Sequence, residues 1–137
     1  MADFLDLIAG TTFKFTKDDG NFDEFLKALD VSFLVRKTAT TTKPKIEVVK
    51  NADGSYTFKT ISTFKNSEVT FKLGEEVEEK RMDGKTVKTV FTVEGNKLIQ
   101  KSDGEPETEF IREFSGDKLI VTCKAGNVVC VREYEKA

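Results

Sequence analysis

The sequence predicts an all-β fold: an up-and-down antiparallel meander that closes on itself, entered through two short helices. Three observations point to it. From Lys43 onward, stretches of two-residue alternation are separated by Asp-Gly, Gly-Asn or Gly-Asp pairs, which are hairpin signals. Helical periodicity is confined to about residues 21–42. The chain has 137 residues, the length of one domain with a real core, so residues 1–137 are read as a single unit.

The elements follow in order. After Gly10, Phe13 and Phe15 alternate with Lys14 and Thr16 as a short first strand. Asn21-Phe22-Asp23-Glu24 then opens a helix, with Asn21 as the expected N-cap and Glu24 placed to reach back to it. Phe22, Phe25, Leu26 and Leu29 recur at helical spacing. Asp30-Val31-Ser32 makes a tight connection, and Ser32 caps a second helix from Phe33 to about Thr41. Thr38, Thr40, Thr41 and Thr42 are poor helix formers, and Pro44 forbids continuation.

Nine further strands are expected: Lys45 to Lys50, Ser55 to Phe64, Ser67 to Leu73, Glu76 to Met82, Lys85 to Glu94, Lys97 to Ser102, Glu107 to Phe114, Lys118 to Lys124 and Val128 to Glu135. Most are joined at Asp53-Gly54, Asp83-Gly84, Gly95-Asn96, Asp103-Gly104, Gly116-Asp117 and Gly126-Asn127. Barrel closure is what removes the edges of such a meander.

Two strands carry an oddity at the two-residue period. Val128, Cys130, Arg132 and Tyr134 share one face, and Thr108, Phe110, Arg112 and Phe114 share another. Each places an arginine on an otherwise apolar face. A guanidinium turned inward is costly unless it is paired, so these faces are expected to line a cavity that holds a carboxylate. The other inner faces, Tyr56, Phe58, Thr60, Ser62 and Phe64; Val69, Phe71 and Leu73; Val87, Thr89, Phe91 and Val93; Leu119, Val121 and Cys123, mix hydroxyls with aromatics. That mixture suits a wet cavity better than a packed core.

Composition excludes several functions. A net charge of -2 gives no electrostatic footprint for nucleic acid. With no histidine, Ser-His-Asp and Cys-His nucleophile systems and the common His-containing metal sites are ruled out, and no glycine-rich phosphate loop occurs. Neither an enzyme nor a cofactor or metal is expected. The start, Met1 to Gly10, carries Asp3 and Asp6 and no basic n-region, so it does not read as a signal peptide, and no stretch is long and apolar enough to cross a bilayer. The expected location is the cytoplasm. There Cys123 and Cys130 are read as buried thiols, although a two-residue turn at Gly126-Asn127 sets them opposite one another, close enough for a disulfide under oxidation.

Ordered together, Asn21-Phe22-Asp23-Glu24, Ser62-Thr63-Phe64-Lys65-Asn66-Ser67-Glu68, Phe71-Lys72-Leu73-Gly74-Glu75-Glu76, Asp83-Gly84-Lys85-Thr86-Val87-Lys88, Ile111-Arg112-Glu113 and Val131-Arg132-Glu133-Tyr134 resemble the intracellular fatty-acid-binding protein family, related to the cellular retinoid-binding proteins, over nearly the whole chain. The resemblance implies a ten-stranded antiparallel clam-shaped β-barrel with a helix-turn-helix lid, holding one long-chain fatty acid. It implies that Arg132 and Tyr134 bind the carboxylate, with Arg112 contributing directly or through water. It also implies a monomer that transports lipid without catalysis.

Other assignments have two readings each. Phe22, Phe25 and Phe33 either touch the acyl chain at the portal or dock the lid on the barrel mouth, and Phe64 resembles the portal gate. Tyr56, Phe58, Phe71, Phe91 and Phe110 line the cavity or fill a closed end; Thr60, Ser62, Val121 and Cys123 are further lining candidates. Lys27, Arg36 and Lys37 are a solvated face, or the family's membrane-contacting set; in some members the same positions resemble a nuclear-import signal. A retinoic-acid carrier and a barrel with a filled interior that acts by protein interaction are the alternatives.

The chain departs from the family pattern near its start. Phe13 stands where the family has tryptophan, with an extra residue before it; another residue is inserted between Phe15 and Asn21; and the link between the helices is Asp30-Val31-Ser32 rather than glycine-rich.

Overall fold

A computed structural model describes residues 3–81 and 83–137. Ten strands form one antiparallel sheet: β1 (Thr12–Asp18), β2 (Lys45–Lys50), β3 (Tyr56–Ile61), β4 (Ser67–Phe71), β5 (Glu76–Lys80), β6 (Thr86–Glu94), β7 (Lys97–Ser102), β8 (Thr108–Ser115), β9 (Lys118–Ala125) and β10 (Val128–Lys136). Each pairs with its neighbour in sequence, except that β1 pairs with β10 and β4 and β5 do not pair, giving the order β4-β3-β2-β1-β10-β9-β8-β7-β6-β5. The sheet is thus a nearly closed barrel. Met82, expected as the last residue of the fifth strand of the meander's start, lies outside the described residues.

The hairpins explain the register. Ala125 pairs with Val128 across Gly126-Asn127, and Gly126 takes φ +57°, the left-handed conformation that a two-residue turn needs and glycine adopts without strain. Asp103-Gly104 is different. The β7–β8 connection is longer, and Gly104 is there for space: a Cβ would meet Arg81 Nη1 and Val87 Cγ1, each at 2.6 Å. Arg81 fills that space, bound to Asp83 at 2.7 Å and donating from Nη1 to the Pro106 carbonyl at 2.7 Å.

Two helices form the expected pair, α2 (Phe22–Ala28) and α3 (Phe33–Thr41), and a third precedes β1, α1 (Asp3–Ile8). The sequence reading did not anticipate α1. Its Leu5 is fully buried, the Phe4 ring lies 5.8 Å from that of Phe114, and Asp6 accepts a hydrogen bond from the Tyr56 hydroxyl at 2.8 Å, so α1 closes one end of the barrel. Ser32 caps α3 as expected, accepting from the Val35 amide. Asn21 does not cap α2; its Nδ2 donates instead to the Val129 carbonyl at 2.6 Å, pinning the helix to β10. Asp30 turns the link with φ +60°, where glycine would be easiest. The α2 face packs on the barrel through Phe25, Leu26 and Leu29, whereas α3 buries no side chain.

β3 ends at Ile61 rather than Phe64. Ser62 Oγ donates to the Lys65 carbonyl at 2.7 Å and accepts from the Lys65 amide at 2.9 Å, closing a turn in place of the last expected strand residues. β4 likewise ends at Phe71, so Leu73 is not part of it.

Candidate functional site

Arg112 lies on the inner face of β8, opposite Leu98 of β7 and Val121 of β9. It is 6% exposed, and its Nε and Nη1 make no hydrogen bond to the protein. Its guanidinium carbon instead sits 3.9 Å from the centre of the Phe58 ring and 5.0 Å from that of Phe110. Ring contacts of this kind contribute about 1–2 kcal/mol, against several for taking the cation out of water. Burial accordingly pushes the pKa of Arg112 down to about 10, with Cys123, Glu79 and Tyr134 pulling it back. The group stays charged at neutral pH. It is a buried cation offering donors to an anion.

Arg132 of β10 opposes the same Val121 from its other side. The two arginines therefore stand two strands apart, about 10 Å at the backbone. Arg132 is held more firmly. Its guanidinium carbon lies 3.8 Å from the Phe22 ring centre and 4.4 Å from that of Phe15, and Nη1 donates to Asp18 Oδ2 at 2.9 Å. Tyr134 follows on the same face, 4% exposed, with Phe15 edge-on at 5.7 Å. Burial raises the pKa of its phenol, and Arg132 opposes that rise.

Asp18 was not among the expected site residues. Phe15 pairs with Tyr134 and Asp18 with Arg132, so β1 carries one residue more than β10 over this stretch. Such a bulge inverts the alternation beyond it, and it turns Asp18 to the Arg132 face. The available signal was the extra residue between Phe15 and Asn21. Glu79 was also missed, because Glu76–Lys80 reads as a charged, solvated strand. Its Oε1 accepts from Gln100 Nε2 at 2.6 Å, Thr89 Oγ1 at 2.7 Å and Ser102 Oγ at 3.2 Å, an interior polar network beside Arg112.

The remaining expected residues divide. Phe58 and Phe110 surround Arg112, and Phe22 covers Arg132. Phe25 is fully buried between Phe22 and Phe110, at 6.0 and 5.7 Å between ring centres. Tyr56, Phe71 and Phe91 form a packed stack, with Phe71 and Phe91 at 3.9 Å. They fill the end that α1 closes. Val121 and Cys123 are buried on the inner face of β9, while Thr60, Val69, Val77 and Phe110, also facing inward, keep part of their surface accessible. Ser62 builds the β3–β4 turn rather than lining the interior. Phe64 in that turn and Phe33 on α3 are 44% and 64% exposed.

Lys27 and Lys37 are exposed, but Arg36 is not a free surface cation: it donates to Asp23 at 3.0 Å and to the Val31 carbonyl at 2.8 Å, tying α3 to α2. Cys123 and Cys130 face each other across β9 and β10 as free, buried thiols. A hydrogen bond between them lowers the pKa of Cys123 and raises that of Cys130. Among the described residues no group of three or more Cys, Asp or Glu side chains is placed to hold a metal ion, and no helix is long and apolar enough to cross a membrane.

Comparison with known proteins bears on the family and the fold. Residues 14–137 match the model of the lipocalin / cytosolic fatty-acid binding protein family. The fatty acid-binding protein of Lepidoglyphus destructor is 49% identical over 131 residues, covering 95% of this chain and 98% of that protein. Among solved structures, the fatty acid-binding protein from brain tissue of Drosophila melanogaster superposes with a TM-score of 0.89 at 43% identity, covering 93% of this chain and 98% of the other. That of Schistosoma mansoni, solved in complex with arachidonic acid, gives 0.87 at 35% identity, covering 95% and 96%.

Proposed function

The chain belongs to the lipocalin / cytosolic fatty-acid binding protein family, and from that premise we propose that it is an intracellular carrier, not an enzyme, that holds one long-chain fatty acid inside the barrel. The observation behind this reading is the pair of buried guanidinium groups, Arg112 and Arg132, that flank Val121 on the interior face. Together with the Tyr134 hydroxyl they supply the donors for a carboxylate, and charge-assisted bonds of this kind are the strong ones. Arginine at position 112 favours an acid over an alcohol, because an alcohol leaves that buried charge uncompensated. The alkyl chain contributes about 0.8 kcal/mol for each methylene removed from water, less the cost of ordering it.

The lid supports a second element of the proposal. α3 exposes Phe33 and Leu34 beside Lys37, a surface suited to brief contact with an anionic membrane while ligand is exchanged. The carrier works as a monomer in the cytoplasm, with access to the nucleus.

Displacement of a fluorescent fatty acid by oleate tests the reading. One equivalent of oleate bound by the wild-type protein, lost on joint Arg112→Gln and Arg132→Gln substitution with the fold retained, is the expected result. Unchanged affinity in that double variant would falsify the carboxylate assignment. Competition between oleate and retinoic acid distinguishes a fatty-acid carrier from a retinoic-acid carrier.

A further inference from the structure

Arg112 and Arg132 differ in one respect that the fatty-acid reading leaves open: Arg132 already holds an anion supplied by the chain. We propose that Asp18 is a built-in counter-anion to Arg132 that limits the affinity for fatty-acid carboxylates and leaves Arg112 as their principal receptor. The proposal rests on the carrier reading and names the residue that tunes it.

Three features of the ion pair support it. Asp18 is held in place from both sides, since Oδ1 accepts from the Gly20 amide at 2.9 Å while Oδ2 accepts from Arg132 Nη1 at 2.9 Å. The pair is sheltered, with side-chain exposures of 21% for Asp18 and 5% for Arg132, so solvent screens it weakly. The faces of the Arg132 guanidinium are also engaged, by Phe22 and Phe15. Arg112 has ring contacts of the same kind, but its Nε and Nη1 have no acceptor.

The β1 bulge is the device that delivers the acid. Without it Asp18 falls on the opposite face of the strand, and the alternation that carries Phe13 and Phe15 inward continues unbroken. A ligand carboxylate approaching Arg132 then meets a fixed negative charge at hydrogen-bond distance from the same guanidinium. It must displace Asp18 or accept its repulsion. Either route weakens the head-group contribution there and shifts it to Arg112.

Oleate and its neutral counterpart, oleyl alcohol, are titrated against wild-type protein and the variants Asp18→Asn, Arg132→Gln, Arg112→Gln and Asp18→Asn with Arg132→Gln. Asp18→Asn should tighten oleate about ten-fold and change oleyl alcohol less than about two-fold, since only the charged head feels the competing anion. The gain should vanish in the double variant, as for two groups acting through one contact. Arg112→Gln should cost more oleate affinity than Arg132→Gln. Oleate bound equally or more weakly by Asp18→Asn, or Arg132→Gln costing as much as Arg112→Gln, overturns the proposal and leaves the carrier reading intact. The second comparison holds even where Asp18→Asn fails to fold. If no form binds oleate, both readings fall.

Discussion

Arg112 and Arg132 oppose the same residue, Val121, from its two sides, yet the nearest anion differs for each: Arg132 Nη1 is 2.9 Å from an Asp18 oxygen, while Arg112 Nε and Nη1 find no acceptor. One guanidinium is neutralised by the fold. The other is stabilised by two aromatic rings and a more distant carboxylate, Glu79. This asymmetry separates stability from binding, because a group that costs the empty barrel free energy can return it when an anion arrives.

The first prediction follows from that cost. Arg112→Met replaces a buried, under-satisfied charge with an apolar side chain of similar length, so the lipid-free protein should be more stable by about 1–3 kcal/mol. Oleate affinity should fall at least about ten-fold, since the charge-assisted head-group bonds are gone. Urea unfolding of delipidated protein, paired with a displacement titration, checks both. A variant that loses stability as well as binding rules out the account of Arg112 as a costly, waiting cation.

How far these relationships could be read from sequence depended on whether the alternation stayed unbroken. β8 and β10 keep their two-residue period throughout, so the alternation alone places Arg112, Arg132 and Tyr134 on inward faces. β1 does not. Its bulge after Phe15 reverses the faces, so an unbroken two-residue period places Asp18 on the outer face although the structure turns it inward. The expected strand through Ser62 and Phe64 stops short for a related reason: local side-chain hydrogen bonds of Ser62 close a turn that overrides the strand pattern. α1 is six residues long, too short for periodicity to announce it, and is held by tertiary contacts of Leu5 and Asp6.

A second prediction concerns acid stability and lies away from the ligand. Burial pushes the pKa of the Asp83 carboxyl up, but the Arg81 guanidinium at 2.7 Å and the Lys85 amide more than reverse this, holding it below its ordinary 3.8. A depressed folded-state pKa gives stability that is present above the ordinary carboxylate value and is lost as pH falls through the depressed one. Asp83→Asn should therefore cost about 3–5 kcal/mol at neutral pH, because it leaves Arg81 buried without its acid. The deficit relative to wild type should shrink on acidification. Urea midpoints measured at neutral and strongly acidic pH give the comparison, and a constant deficit would count against the ion pair as the cause.

The third prediction is local. Ser32 Oγ accepts from the Val35 amide, and α3 buries no side chain, so the helix depends on its cap more than on packing. Ser32→Ala should remove about 0.5–2 kcal/mol from the lid alone. Amide exchange in α3 and dissociation of bound oleate should both accelerate, with little change in the global unfolding midpoint. A midpoint that falls in step with the loss of α3 protection would show that the lid and barrel unfold as one unit.

The last prediction contrasts two phenylalanines that the sequence treats alike. Phe71 and Phe64 both follow an alternating run, yet Phe71 is 1% exposed and stacked on Phe91, whereas Phe64 is 44% exposed in a turn. Truncating a fully buried aromatic removes its transfer free energy and leaves a cavity, so Phe71→Ala should cost about 3–5 kcal/mol. Phe64→Ala should alter stability by no more than about 0.5 kcal/mol, since a surface side chain makes few contacts to lose. Its effect belongs to exchange: with the exposed ring gone from the β3–β4 turn, which sits beside the entry of α3 into β2 through the Lys45 and Ile61 pairing, oleate should enter and leave faster at nearly constant affinity. Stopped-flow association and dissociation rates separate the two residues. Equal losses of stability in both variants would place Phe64 in the packed interior and remove it from the path of the ligand.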